Sequence, residues 1–394
     1  MSTVEPSPSP LPVDLQHDWR RFTLLTFLFS FGFAVYNGVF QNFFRLMVGP
    51  EPLPLGWLEA FREVPGLLTA LTAGTLVALA ETRIAVVGLV ITAVGIGLTG
   101  LADQYLPLVA ISVFWSIGFH LWSTMQPAIT LTLAKGVEGG RHLGRMRSVG
   151  ALATILALGF SGLVARFAPK LAYEVYFALA GAAILAAAWF GSQLSAHASG
   201  GARQPIVFRR EYGLFYLLTF LEGCRRQVFG IFALFTLIAV YNTPLPVVLA
   251  LSFINAILAA LTSPWIGRLI DRVGEREPLT WYAVGLIGIF LGYAFFRDVR
   301  YLYALFILDN LLFSFSIGLN TYLHQIVRPG ELTPSLAMGT TMNHIAAVTL
   351  PVIGAWAWKV TGNYQVPFVI GAGIALVALI ATRFLPSGPV THSR

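Results

Sequence analysis

GRLIDRVGER, Gly267 to Arg276, lies between two long apolar runs, about residues 244 to 270 and 278 to 296. A short charged segment in that position joins two membrane-spanning helices. Gly267 lets a neighbouring helix approach closely, and Gly274 belongs to the same segment. Asp271 can face the positive end of a helix dipole, while Arg272 and Arg276 can bind nearby carboxylates or carbonyls. The ten residues therefore read as a conformational latch, and against that stands the plainer reading of a loop whose arginines only mark one side of the membrane.

The rest of the chain supplies the membrane context. Of its 394 residues, 56% are hydrophobic and 11% charged, with a mean hydropathy of +0.74. Soluble proteins are about a quarter charged, so water is not the main solvent of this one. A helix needs about twenty apolar residues to cross a bilayer, and such runs recur with short polar gaps. They are too long for the alternating strands of a barrel, so the fold class is an all-α membrane protein. The runs fall at about 22 to 48, 55 to 79, 83 to 101, 106 to 134, 142 to 168, 170 to 195, 212 to 240, 244 to 270, 278 to 296, 301 to 327, 335 to 360 and 363 to 385, twelve in all.

Residues 1–19, rich in Pro and Ser, read as a disordered tail, and 387–394 as a second tail. The longest polar gap, 196–211, separates one six-helix bundle, 20–195, from another, 212–386. Sixteen of the 25 basic residues fall on one side of this arrangement and six on the other, which puts both termini in the cytoplasm. Basic residues scattered over loops in this way make the net charge of +7 a matter of topology, not of nucleic-acid binding. Arginine outnumbers lysine 22 to 3, a composition that suggests a GC-rich bacterium and hence its inner membrane. The single cysteine, Cys224, has no intrachain partner, and no CxxC or clustered histidine motif suggests a metal site. Motifs of hydrolytic enzymes and of nucleotide-binding loops are absent, so the chain reads as no enzyme.

GRLIDRVGER matches GxLxDRxGxR at every specified position, and here the sequence resembles the major facilitator superfamily. The resemblance implies twelve helices in two pseudo-symmetric six-helix bundles, with this loop recurring after the second helix. There Gly74, Leu76 and Arg83 keep the frame, but Ala78 and Leu79 replace the Asp and Arg. Gly144 to Ala151, opening the fifth helix with Arg145 and Arg147, and Met342 to Trp358 also look family-like. The fifth helix offers Gly159, Ser161 and Gly162 in place of the GPxxGG element of drug antiporters, which disfavours those subfamilies. By the same resemblance, helices one, four, seven and ten line a central cavity and helices three, six, nine and twelve face lipid.

Polar residues follow that division. The peripheral helices carry no charge away from their ends, while the lining helices hold Asn37, Gln41, His120, Glu222, Arg225, Arg226, Asp309 and Asn310. At 100° per residue, Ser30, Asn37 and Gln41 share a face, as do Ser116, His120 and Thr124, and Asp309, Ser316, Asn320 and His324. In the eleventh helix Thr340, Asn343 and His344 are spaced i, i+3, i+4. Glu222 lies roughly 15 Å into its helix, near mid-membrane, where a lone charge costs on the order of 3 kcal/mol. Arg225 and Arg226 both reach it, so the count leaves one arginine over for an anionic group of the substrate. Glu59, Arg62 and Glu63, one turn apart on the second helix, read as an ion-pair cluster at a gate.

These readings converge on a secondary transporter of a small organic solute, with the proton as coupling ion and no other cofactor. It would work in the lipid bilayer as a monomer, by rocking its two halves about a midplane site. Eight aromatic residues between Phe27 and Phe44 leave efflux of amphipathic compounds as an alternative. The altered first-half loop leaves a non-transporting receptor or scaffold as another.

Overall fold

The structure, a computed structural model, describes residues 13–72, 80–134, 139–195, 207–328 and 330–387. Among them the chain is helical, without strands. The first bundle comprises α1 (Val13–Met47), α2 (Pro52–Thr72), α3 (Glu81–Leu98), α4 (Tyr105–Leu133), α5 (Gly139–Phe167) and α6 (Tyr173–Ser192). The second comprises α7 (Gly213–Gln227, prolonged by a π turn Val228–Ala233 and a last segment Leu234–Ala239), α8 (Leu245–Val273) and α9 (Arg276–Phe295). It is completed by α10 (Val299–Phe313 and Ile317–Ile326, joined by a 3-10 turn Ser314–Ser316), α11 (Leu332–Thr361) and α12 (Val366–Thr382). Nine of these spans are long and apolar enough to cross a membrane by themselves. The other three depend on their neighbours: α2 and α7 carry the buried charges, and α12 has 17 residues.

Lipid gives helices no hydrophobic reason to associate, so close backbone approach must hold them together. In the first bundle Gly88 of α3 faces the Gly118 carbonyl of α4, and Gly181 of α6 faces Gly97 of α3. A Cβ at Gly88 or Gly181 would press into the opposing backbone. Around these contacts the aromatic residues of α1 pack inward: Phe33 stacks on Phe119 at 4.7 Å and Tyr36 meets Trp115 edge-on at 5.1 Å.

Sequence and structure differ at the amino terminus. The helix begins at Val13, so the last part of the segment expected as a disordered tail is ordered. Leu15 and Trp19 are buried, Trp19 stacks on His142 of α5, and the buried Asp18 carboxylate accepts hydrogen bonds from the Ser195 amide and hydroxyl. Most of the expected inter-bundle linker, residues 196–206, and the altered loop copy at 73–79 (Gly74, Leu76, Ala78, Leu79) lie outside the described residues.

Contacts between the bundles form a seam. Gly38 of α1 meets Leu249 of α8, Phe44 of α1 meets Phe235 of α7, and Gly159 of α5 meets Phe253 of α8. Gly56 of α2 abuts the Pro351 carbonyl and Ala355 of α11. Odd-numbered helices run away from the chain's start and even-numbered ones return. These residues come late in α1, α5, α7 and α11 and early in α2 and α8, so the seam lies toward the end of the molecule away from the termini.

At the other end, the second bundle ties down its own entry. Arg209 binds Glu331 through two guanidinium nitrogens, Tyr212 donates to the same carboxylate at 2.8 Å, and Arg328 pairs with Glu211 at 2.9 Å. The Arg209 and Tyr212 donors hold the Glu331 carboxyl down to about 2, from an ordinary 4.5. A depressed carboxyl stabilises the fold above its unfolded value, and that contribution is lost as pH falls through the folded one. Wild type should therefore melt above Glu331→Gln at neutral pH, and the two melting curves should converge as pH falls from about 4.5 toward 2. A constant gap across that window would mean that the clamp adds no stability.

Candidate functional site

A cavity of about 420 Å³ lies between the bundles, on α1, α2, α5, α7 and α8. On α1 it is lined by Ser30, Asn37 and Gln41, the polar stripe predicted from helical spacing, together with Phe29, Phe33 and Phe40. Asn37 donates to the Phe33 carbonyl at 2.9 Å, which leaves its side-chain oxygen without a hydrogen bond among the described residues. Buried Gln41 reaches across to the Ile231 carbonyl at 3.5 Å, and its own side-chain oxygen has no partner. Gly230 and Ile231 belong to the π turn of α7. A turn of that kind widens the helix locally and breaks its hydrogen-bond register, and such turns recur at functional sites.

The walls differ from those expected. Helices α2, α5 and α8 contribute to this cavity, whereas His120 of α4 and Asp309 and Asn310 of α10 are engaged inside the protein and Thr124, Asn320 and His324 are exposed. His120 of α4 bonds to its own helix through the Ser116 carbonyl at 2.8 Å. Asn310 of α10 donates to the Phe306 carbonyl at 3.0 Å. The single face expected for Asp309, Ser316, Asn320 and His324 is broken, because the 3-10 turn Ser314–Ser316 changes the helical phase between them. Asn343 of α11 packs on Gly223 of α7 within the second bundle, and its neighbour His344 points to the first.

The arginines on α7 divide differently from the count made on Glu222 alone. Arg225 is buried and binds two carboxylates, Glu222 at 2.9 Å and Asp309 at 3.1 Å. Tyr282 donates to the other Glu222 oxygen at 2.8 Å, and the guanidinium lies over the Phe313 ring at 5.0 Å. The network is closed within the second bundle among α7, α9 and α10. Arg226, one residue on, is exposed and has no ion-pair partner among the described residues. It lies one turn before Gly230, which lines the cavity, and is not itself one of the lining residues.

The expected Glu59, Arg62, Glu63 cluster separates into two. Arg62 hydrogen-bonds the buried Glu59, and both line the cavity, with the guanidinium over the rings of Phe40 and Trp115 at 5.7 and 5.4 Å. Glu63 turns away and accepts from His344 Nδ1 across the seam at 3.0 Å.

The signature loop spans the end of α8 and the start of α9. Gly274 takes φ +82° where α8 ends, a conformation suited to glycine. Asp271 and Arg272 are exposed and form no ion pair among the described residues. The Arg276 Nε is buried without a partner. The expected carboxylate contacts are therefore not made in this conformation. The residue the loop does engage is Glu275, which the sequence reading passed over: it is buried and accepts from Gln325 at the end of α10 at 2.5 Å.

The family model for the Major Facilitator Superfamily matches residues 22–331 and again 215–394. No curated protein matches the chain. Among solved structures, a single-residue variant of the nucleoside transporter NupG is similar with a TM-score of 0.77 at 14% identity, covering 93% of this chain and 99% of that one. A bacterial homologue of the iron transporter ferroportin in an inward-facing state gives 0.74 at 13%, covering 94% and 98%. A D-xylose-proton symporter gives 0.70 at 16%, covering 93% and 97%. At these identities the likeness is one of fold.

The closed network makes a test of the division between the two arginines. Removing one member of a buried ion pair costs about 3–5 kcal/mol, because the other charge stays buried unpaired. Arg225→Met should lower the melting temperature sharply, whereas Arg226→Gln should leave it nearly unchanged. Equal melting temperatures for the two variants would contradict the assignment.

Proposed function

The chain belongs to the major facilitator superfamily, and on that premise we propose that it carries a small organic anion across the membrane by proton-coupled alternating access. It is a multi-pass membrane transporter and not an enzyme. What carries the substrate class is Arg226: an exposed guanidinium one helical turn from the cavity-lining Gly230, with no carboxylate partner among the described residues, while Arg225 and Arg62 are neutralised by their neighbours. A planar fork of donors at mid-membrane suits a carboxylate or phosphate. Phe29, Phe33 and Phe40 on the facing wall suit an apolar or aromatic body attached to it.

The coupling site is assigned to Glu222 and Asp309. Two carboxylates share one guanidinium, so a single proton completes the charge balance of the network. Arg225 and Arg226 are adjacent in the chain, which brings an anion on one within electrostatic reach of a proton near the other. The seam shuts the end away from the termini, and at the other Asp271 and Arg272 of the signature loop form no ion pair among the described residues. With both termini in the cytoplasm of a bacterial inner membrane, this is the inward-open arrangement of a monomer. Asp271, Arg272 and Arg276 would engage in the outward-open one.

Ligand binding raises apparent stability in proportion to occupancy. A thermal-shift screen of purified protein should return organic carboxylates or phosphates, and Arg226→Gln should weaken them by about ten- to a hundredfold, the worth of one charged hydrogen bond. Asp309→Asn should keep binding and flatten the pH dependence of transport in liposomes. Hits restricted to neutral or cationic amphiphiles, indifferent to Arg226→Gln, would replace the anion reading with efflux of amphipathic compounds. For the latch, Asp271→Asn should shift cysteine-labelling accessibility toward the inward-open state, and unchanged labelling on both sides would refute it.

A further inference from the structure

Beside the cavity, two imidazoles and a carboxylate from opposite bundles converge. Glu63 of α2 and His120 of α4 come from the first, His344 of α11 from the second, and their ligating atoms all lie within 4.8 Å of one another. His344 Nδ1 is 3.0 Å and His120 Nε2 is 3.9 Å from the same Glu63 oxygen. All three residues are buried or half-buried.

The orientation of His120 is informative. Its Nδ1 is occupied by the Ser116 carbonyl at 2.8 Å, which fixes the proton there and leaves the Nε2 lone pair directed at Glu63. At 3.9 Å that pair makes no hydrogen bond. A backbone carbonyl on the far nitrogen is the usual orienting contact of a metal-binding imidazole. Gly66 completes the arrangement: a Cβ there would overlap both rings, so glycine is what lets them approach.

We propose that Glu63, His120 and His344 bind a divalent transition-metal cation of the Zn²⁺ class across the seam, and that the bound ion staples the bundles together and arrests transport in this conformation. Two imidazole nitrogens and one carboxylate suit such a cation better than Mg²⁺ or Ca²⁺, which take oxygen ligands. Ligands at about 2.1 Å place tetrahedral neighbours about 3.4 Å apart, so small side-chain torsions close the set. As the ion binds Nδ1 of His344, the neutral ring changes tautomer, Nδ1 giving up its proton and Nε2 taking one from solvent, so no net proton is released by this ring. With α2 and α4 on one side and α11 on the other, the three ligands assemble only while the seam is closed. Binding must then favour that state by its full differential affinity. The site itself is independent of the transport reading; the arrest rests on it.

The test uses the full-length protein, free of any affinity tag, with Zn²⁺ for stability and Co²⁺ as the spectroscopic probe. Co²⁺ should give visible absorption of a low-coordinate nitrogen and oxygen site, and Zn²⁺ should raise the melting temperature. Glu63→Gln and His344→Asn should each weaken both effects at least about tenfold. His344→Cys guards against a trivial folding defect: it should keep Zn²⁺ binding and add a thiolate-to-cobalt charge-transfer band. No Co²⁺ absorption and no Zn²⁺ stabilisation in excess cation would overturn the site and leave a hydrogen-bonded cluster. Binding undiminished in both Glu63→Gln and His344→Asn would overturn it too. For the arrest, spin labels on α5 and α8 at the signature-loop end should settle on one long distance when Zn²⁺ is added. A distance distribution unmoved by bound Zn²⁺ would refute the staple while the transport reading stood.

Discussion

The seam that joins α1, α2 and α5 to α7, α8 and α11 constrains everything else in this molecule. Its packing is of two kinds. Gly38, Gly56 and Gly159 let side chains or backbone of the other half come close, and Phe44 with Phe235 fills the end with apolar surface. Polar contacts also cross between the halves, from Glu63 to His344 and from Gln41 to the Ile231 carbonyl. Closed, it walls the cavity from both halves and brings Glu63 against His344.

Charge is divided in the membrane with the same economy. The two guanidiniums in the middle of the bundles each have a carboxylate: Arg62 has Glu59, and Arg225 has both Glu222 and Asp309. Aromatic faces add to both, with Phe40 and Trp115 beside Arg62 and Tyr282 and Phe313 beside Arg225. Such groups hold a fold together but have little left for a ligand. Arg226 stands apart because its neighbour has taken the available carboxylates. A transporter needs this contrast, since its substrate site must be unsatisfied when empty while the scaffold around it is not.

Much of this was legible in the sequence, and the limits are physical. Twelve spans and the division between bundles follow from hydropathy, and Ser30, Asn37 and Gln41 follow from helical period alone; all three line the cavity. The ordered start of α1 carried a signal that its Pro- and Ser-rich neighbours masked: Leu15 and Trp19 are spaced i, i+4 and both are buried. The π turn at Val228–Ala233 carried none, because VFGIFA suits an α-helix equally well. Pairings between distant helices were also hidden. Nothing local ties Arg225 to Asp309 or Glu63 to His344, and without the first pairing the spare arginine could not be told from the engaged one. Glu275 was overlooked because attention to the motif's Asp271 and arginines left no role for the residue between them.

On the transport reading proposed above, the cavity lined by Ser30, Asn37 and Gln41 opens to one side of the membrane and is sealed from the other. The chain has a single cysteine, Cys224, which is buried and can be replaced by serine to give a clean background. Ser30→Cys in that background, placed in vesicles of known orientation and treated with a membrane-impermeant thiol reagent from each side in turn, reads the opening directly. Labelling from the side of the chain termini, and far slower labelling from the other, is the predicted result. Equal labelling from both sides, or from the far side alone, would contradict it.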